Sequence, residues 1–188
     1  MATTIATGYA NAPLKQGEPP DHGFLYTGKG LEFDGVTDYV ENTSFTGHQS
    51  SEGTMSCWAK IGAIGTAPSY NTIMGVGGNS TAYKERNISI NVSTSKLITI
   101  NHSSNPTTSL VLTTGRWYYF VMTWNGGTSK IYADGVHEAY TTTQTDLLTP
   151  EGTKVKLGIE SYAYDQYFDG IISNAQVWNK EWSESDVQ

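Results

Sequence analysis

The segment Arg116–Gly135, RWYYFVMTWNGGTSKIYADG, constrains the fold more than any other part of the chain. Tyr118, Phe120, Met122 and Trp124 alternate with Trp117, Tyr119, Val121 and Thr123. A strand sends successive side chains to opposite faces, and one that is apolar on both faces belongs inside a sheet, at least partly covered on each side. Asn125-Gly126-Gly127-Thr128 follows, and Asn-Gly supplies the positive φ values that a tight hairpin needs. Lys130–Ala133 therefore returns antiparallel, and Asp134-Gly135 turns again into Val136–Ala139. Leu31–Val40 (LEFDGVTDYV) and Tyr167–Ser183 (YFDGIISNAQVWNKEWS) repeat the strand-and-glycine-turn build near the two ends. Together these segments predict an all-β fold, a two-sheet antiparallel sandwich whose first and last strands pair.

The intervening pattern agrees. Met55, Cys57, Ala59 and Ile61 alternate with Ser56, Trp58 and Lys60. Ile88, Ile90 and Val92 alternate with Asn87, Ser89, Asn91 and Ser93, and Ser93–Lys96 turns into Leu97–Ile100 as a hairpin. The one helix signal is Ser183, placed to cap Glu184-Ser185-Asp186-Val187. A chain that stops in a helix reads as the N-terminal part of a longer protein. Residues 1–30 have little periodicity and contain Glu18-Pro19-Pro20-Asp21, so they form an irregular N-terminal arm preceding a domain of residues 31–188. Ile5, Tyr9, Leu14, Phe24 and Leu25 are spaced along the arm as anchors for docking on a partner subunit.

Composition narrows the partners. A chain of 188 residues suits one domain, burying roughly 70% of its unfolded surface. Hydrophobic content of 37% beside 12% aromatic fits a thin sandwich, where half of each strand faces water. A net charge of −7 with no Lys/Arg cluster argues against nucleic acid or an anionic membrane as partner. No apolar run approaches a membrane span, and the N-terminus lacks the basic and apolar regions of a signal peptide. The expected location is a virion, or the extracellular space reached without a recognisable signal, with the cytoplasm left open. Cys57 is the sole cysteine, so no internal disulfide forms; its alternation with Met55 and Ala59 makes it a buried small hydrophobe.

Four marks, in order, carry a resemblance: FDG-V-x-DYV from Phe33, Thr54-x-Ser56-x-Trp58-x-Lys60, the Trp117-to-Gly135 hairpin, and the closing F-x-G-x-I…V-W-N ending at Ser183. From about Gly30 onward the chain resembles a laminin-G-like jelly roll of the concanavalin A-like lectin/glucanase superfamily. That resemblance implies a two-sheet jelly roll used for non-catalytic recognition or assembly. Hydrolases of the superfamily resemble one another in a Glu-x-Asp-x-x-Glu strand. Here Glu32-Phe33-Asp34 leads to Thr37 where the second Glu should stand, and Glu184-Ser185-Asp186 lies in the helix. The four histidines have no catalytic neighbourhood, so the expectation is no enzyme and no catalytic residues.

The resemblance also raises Ca²⁺ where first and last strands meet, with Asp34 and Asp169 as ligands and Asp38 nearby. Many relatives carry Ile-Asp-Glu in the closing strand, whereas this chain has Ile172-Ser173-Asn174. Asp34 and Asp169 each precede a glycine, so turn formation is the competing role. Glycan binding needs ring faces and fixed hydrogen-bonding groups. Tyr162, Tyr164, Asp165, Gln166 and Tyr167 in one connection, with Tyr70 and Tyr83 in the 66–87 segment, supply them; lids over the sandwich end are the alternative. Trp58, Trp117, Trp124 and Trp178 are assigned to the core. Asn-x-Ser/Thr triplets at Asn42, Asn79, Asn87, Asn91 and Asn101 are expected by chance in so Asn-, Ser- and Thr-rich a chain. Two function classes remain: a carbohydrate-binding module, and a virion surface, fibre or capsid-decoration component whose arm docks on a partner protein, oligomers included.

Overall fold

The computed structural model describes residues 29–45, 51–65, 69–77, 85–101, 107–126, 128–143, 154–160 and 166–188, with backbone alone at 99–101 and 139–143. In chain order the strands are β1 (Leu31–Asp34), β2 (Val40–Asn42), β3 (Glu52–Ile61), β4 (Tyr70–Gly77), β5 (Glu85–Asn91), β6 (Lys96–Asn101), β7 (Thr107–Val111), β8 (Trp117–Asn125), β9 (Thr128–Ala133), β10 (Val136–Thr143), β11 (Val155–Leu157) and β12 (Asp169–Trp178), followed by helix α1 (Glu184–Val187). They form two six-stranded sheets: β1-β12-β3-β8-β9-β10 and β2-β11-β4-β5-β6-β7. Every pairing among them is antiparallel. Among the described residues no helix is long and apolar enough to cross a membrane.

The predicted pairing of first and last strands is present: Leu31 lies opposite Ile172 and Phe33 opposite Gly170. The alternation in β8 sorts as its sequence requires. Tyr118, Phe120, Met122 and Trp124 are buried between the sheets with Met55, Cys57, Ala59 and Ile61 of β3 and Ile88 and Ile90 of β5. The hairpin turns take their predicted positive φ values, at Gly126 (55°) between β8 and β9 and at Asp134 (51°) and Gly135 (79°) before β10. Arg86 shares the inward face of β5 and closes the core by stacking its guanidinium 4.7 Å over Trp124. Burial pushes the Arg86 pKa down to about 10, so it stays cationic at neutral pH.

The outer face of the first sheet is covered in part, as the two-sided apolarity of β8 requires. Val121 and Tyr132 are buried there against Val187 of α1 and Trp182. Thr54 fixes this C-terminal strap: its hydroxyl donates to the Lys180 carbonyl (2.8 Å) and accepts from the Trp182 N–H (2.9 Å). Asn125 donates to Glu181 Oε2 at 2.9 Å. At the start of α1, the Ser183 N–H donates to Asp186 Oδ2 at 2.8 Å, the reciprocal half of the predicted capping box.

One expectation fails. Only Trp124 of the four assigned tryptophans is in the core; Trp58 and Trp117 are half-buried on the outer face, and Trp178 is 44% exposed. Parity decides this over side-chain size. Trp58 sits between the inward-facing Cys57 and Ala59, so it points outward, where its ring packs 5.0 Å from Tyr119. Of the arm, only Lys29 and Gly30 fall within the described residues; Ser173 Oγ donates to the Lys29 carbonyl at 3.2 Å.

Candidate functional site

The second sheet turns a polar face away from the core. In β5, Arg86, Ile88 and Ile90 point inward, which leaves Glu85, Asn87, Ser89 and Asn91 outward. Directly paired residues share a face, and the register carries this polarity across the sheet. Asn87 lies opposite Gly75 of β4, Gly75 opposite Lys156 of β11, and Lys156 opposite Glu41 of β2. Glu85 is opposite Gly77, Thr72 opposite Ser89, and Tyr70 opposite Asn91. The Thr72 and Ser89 hydroxyls are hydrogen-bonded at 2.9 Å. Gly75 and Gly77 leave two central positions without side chains.

Charges on this face are held in place. Lys156 Nζ is 3.6 Å from Glu41 Oε1, and Lys154 Nζ approaches the same oxygen at 3.3 Å. Tyr39, 49% exposed, lies beside them with its ring 5.9 Å from the Lys156 ammonium. Glu160 follows β11, with the Glu85 carboxyl near enough to act on its charge. Both are nearly inaccessible, Glu160 at 3% and Glu85 at 4%. Burial first, and then the Glu85 charge, raise the Glu160 pKa well above the usual carboxylate range, with Lys156 opposing.

Two of the glycan-binding residues expected from sequence, Gln166 and Tyr167, run beside β4 close in sequence position to a third, Tyr70. The Asn71 amide donates to the Tyr167 carbonyl at 2.7 Å, and the Thr72 N–H donates to the Gln166 carbonyl at 3.2 Å. These bonds set the backbone of Gln166 and Tyr167 beside Asn71 and Thr72, next in sequence to Tyr70; both tyrosines are half-buried and Gln166 is buried. Tyr83, Tyr162, Tyr164 and Asp165 lie outside the described residues. Sequence reasoning placed Glu160 at the start of the tyrosine-rich connection and Asn87 at the end of the 66–87 segment, but passed over Tyr39, Glu41 and Lys156. The available signal was ERNISIN itself, whose polar half needed a face as much as its apolar half did.

Asp34 and Asp169 face one another across the β1–β12 ladder. Asp34 Oδ1 accepts backbone N–H bonds from Val36 (2.8 Å), Thr37 (2.8 Å) and Asp38 (3.0 Å), and Oδ2 accepts from the Thr37 hydroxyl (3.0 Å). Those donors hold the Asp34 carboxyl far below the usual carboxylate range. Asp169 Oδ1 accepts from the Ala63 N–H at 3.0 Å. Both carboxylates are thus engaged as turn and loop clamps, a poor fit to a calcium cage. Among the described residues no group of three or more His, Cys, Asp and Glu side chains could hold a metal. Melting curves in EDTA and in millimolar calcium are expected to coincide; a higher Tm in calcium would restore a site at Asp34 and Asp169, because a ligand bound only to the folded state stabilises it. Cys57 is fully buried, and desolvation pushes its thiol up to about 12, so it is not a nucleophile at neutral pH.

The sequence pattern of the concanavalin A-like lectin/glucanases superfamily matches residues 34–188. The chain belongs to that superfamily. Solved structures with the same fold include domain 4 of AbnA, a GH43 extracellular arabinanase from Geobacillus stearothermophilus, in complex with arabinotriose. That likeness has a TM-score of 0.64 at 17% identity, covering 86% of this chain and 76% of the other. The native heptameric SAP-like pentraxin from Limulus polyphemus is similar at TM-score 0.60 and 17% identity, over 83% of this chain and 78% of that one. Trypanosoma rangeli sialidase is similar at TM-score 0.66 and 15% identity over 84% of this chain, which spans only 26% of the sialidase. No curated protein matches the chain in sequence.

Proposed function

We propose that this superfamily member is a non-catalytic carbohydrate-recognition module whose ligand meets the accessible rim of the polar face of the second sheet. The observation that carries the reading is the continuity of that polar face from Glu41 through Lys156, Gly75 and Asn87, with the exposed Tyr39 on one side and Tyr70 on the other. Sugar hydroxyls need donors and acceptors fixed in advance, and sugar ring faces need aromatic planes. Asn87, Ser89 and Thr72 are fully buried and Lys156 nearly so, so they fix the rim rather than touch the ligand, while Tyr39, Glu41, Tyr70 and Tyr167 are the accessible groups. The arabinanase domain solved with arabinotriose supports a carbohydrate ligand for this fold.

A glycan array probed with and without EDTA tests the proposal. Binding to at least one glycan class is expected, unchanged by EDTA and abolished in the Tyr39→Ala/Tyr70→Ala variant without loss of cooperative melting. A folded protein that binds nothing on the array, or binding that survives the double substitution, counts against this face as the site.

A further inference from the structure

We propose that Trp178 and Trp182 form a second saccharide-binding platform, weaker than the second-sheet rim and on the opposite side of the sandwich. Only its ranking below the other site rests on the carbohydrate-recognition reading; the platform itself follows from its own geometry. Among the described residues, the exposed aromatic side chains are Tyr39, beside the polar face of the second sheet, and Trp178, at 44% on the outer face of the first. An indole left this open forgoes much of its apolar burial. Trp178 does not stand alone. Its ring centroid is 5.4 Å from that of Trp182, with the two planes tilted by 50°.

The pair is held in place before any ligand arrives. Trp178 lies opposite Thr54 in the β12–β3 ladder. The buried Thr54 hydroxyl donates to the Lys180 carbonyl and accepts from the Trp182 backbone N–H, so both tryptophans are fixed about one side chain. Trp182 also packs on the cluster of Val121, Tyr132 and Val187. Beside it, Glu181 Oε2 accepts from the exposed Asn125 amide. A carboxylate has about four acceptor positions, so Glu181 keeps acceptors for sugar hydroxyls. The layer beneath is not fully paired. Thr123, opposite Thr54, and Ser56, two residues further along β3, are buried with no hydrogen-bond partner for either hydroxyl. The Tyr132 and Tyr119 hydroxyls lie near them but outside hydrogen-bonding geometry. Thr123 thus offers an unclaimed hydroxyl one side chain away from the Trp182 backbone N–H.

Size and charge select the ligand. Two aromatic side chains bury about 150–250 Å² each at most, and Trp178 is already more than half covered. That falls well short of the about 800 Å² per partner of a stable protein interface, so a second copy or another protein is a poor fit. Rings 5.4 Å apart leave no room to sandwich a cation between them. They do present planes beside a fixed amide–carboxylate pair, the combination that stacks on sugar rings and pairs with their hydroxyls. Glu52 lies opposite Asn125, so two carboxylates flank this amide against Lys180, the one cation of the strap. Like charge disfavours an acidic sugar there, which makes the ligand class a neutral oligosaccharide. Two rings and a few hydrogen bonds support an affinity in the millimolar range.

The experiment follows the indole N–H signals of the full chain by NMR while arabinotriose, cellotriose or chitotriose is added to millimolar concentration. At least one trisaccharide should shift the Trp178 and Trp182 signals along a saturable curve. Trp178→Ala should weaken that binding about tenfold or more, read at Trp182, and Trp178→Phe, which keeps a smaller ring, should fall between. If the alanine variant fails to fold, the phenylalanine variant and the wild-type shifts decide. Tyr39→Ala/Tyr70→Ala should retain the shifts, because the platform is too weak to score on an array yet separate from the second sheet. Their loss in that variant would make Trp178 a remote reporter of the other site and overturn the platform. No shift with any trisaccharide, or shifts unaltered by either Trp178 substitution, overturns it as well. So do the same shifts on raising protein concentration alone, which would mark a self-association patch. An array with no binder beside a titrating Trp178 would instead sink the second-sheet reading and leave the platform standing.

Discussion

Trp124→Ala is expected to cost about 3–5 kcal/mol of stability, the range for truncating a large buried aromatic. Trp124 is fully buried in β8, the guanidinium of Arg86 lies over one side of its ring, and Gly53 of β3 packs against it so closely that a Cβ there would overlap the indole. The cavity would be bounded by strands of both sheets, which cannot collapse without breaking ladders that hold Gly53 opposite Trp124. Arg86 would also lose the ring over which its buried charge is spread, which adds to the cost. A denaturant titration measures the loss from the midpoint at constant slope. A loss below about 1 kcal/mol would mean that the inward face of β8 is misassigned.

That assignment was legible in the sequence because an alternating strand leaves no third choice for a side chain. Phe120 and Met122 had to share a face with Trp124, and the asparagine-glycine turn had to return the chain beside it. Trp58, Trp117 and Trp178 were misplaced when hydrophobicity was allowed to outweigh that parity; Met55, Cys57 and Ala59 already occupied the inward positions of β3. The pairing of β1 with β12 was readable from matching strand patterns at the two ends.

The polar face of the second sheet was harder to see, since its members come from β2, β4, β5 and β11 and meet only through register. Tyr39, Glu41 and Lys156 are unremarkable until Lys156 is found opposite Glu41. Glu160 gave still less warning, because what distinguishes it is a buried neighbour 75 positions earlier in the chain, Glu85. Asp34 was legible as either ligand or turn-former, and its turn-forming role is visible in three backbone N–H groups that point at one oxygen.

Gly170→Ala should be as damaging as the loss of Trp124, for the opposite physical reason. Gly170 lies in β12 between Phe33 of β1 and Ile61 of β3, at the seam where the ends of the chain join the sheet. Its φ of 145° is one that residues with a Cβ rarely adopt. A Cβ would also press on the Lys60 carbonyl oxygen, stand 2.9 Å from the Gly62 nitrogen and lie 2.8 Å from the Phe168 ring. Two of these obstacles are backbone and cannot rotate away. Strained φ and overpacking each cost about 1–3 kcal/mol, so about 2–6 kcal/mol together is expected. Gly126→Ala is the internal comparison: its φ of 55° is also left-handed, but a Cβ there meets nothing within 4 Å, so only the backbone cost of about 1–2 kcal/mol remains. The site of damage should differ as well. Gly170→Ala should speed hydrogen exchange in β1, whereas Trp124→Ala should leave β1 protected until global unfolding. If Gly170→Ala costs no more than Gly126→Ala and β1 exchanges as before, the close three-strand contact at the seam is wrong.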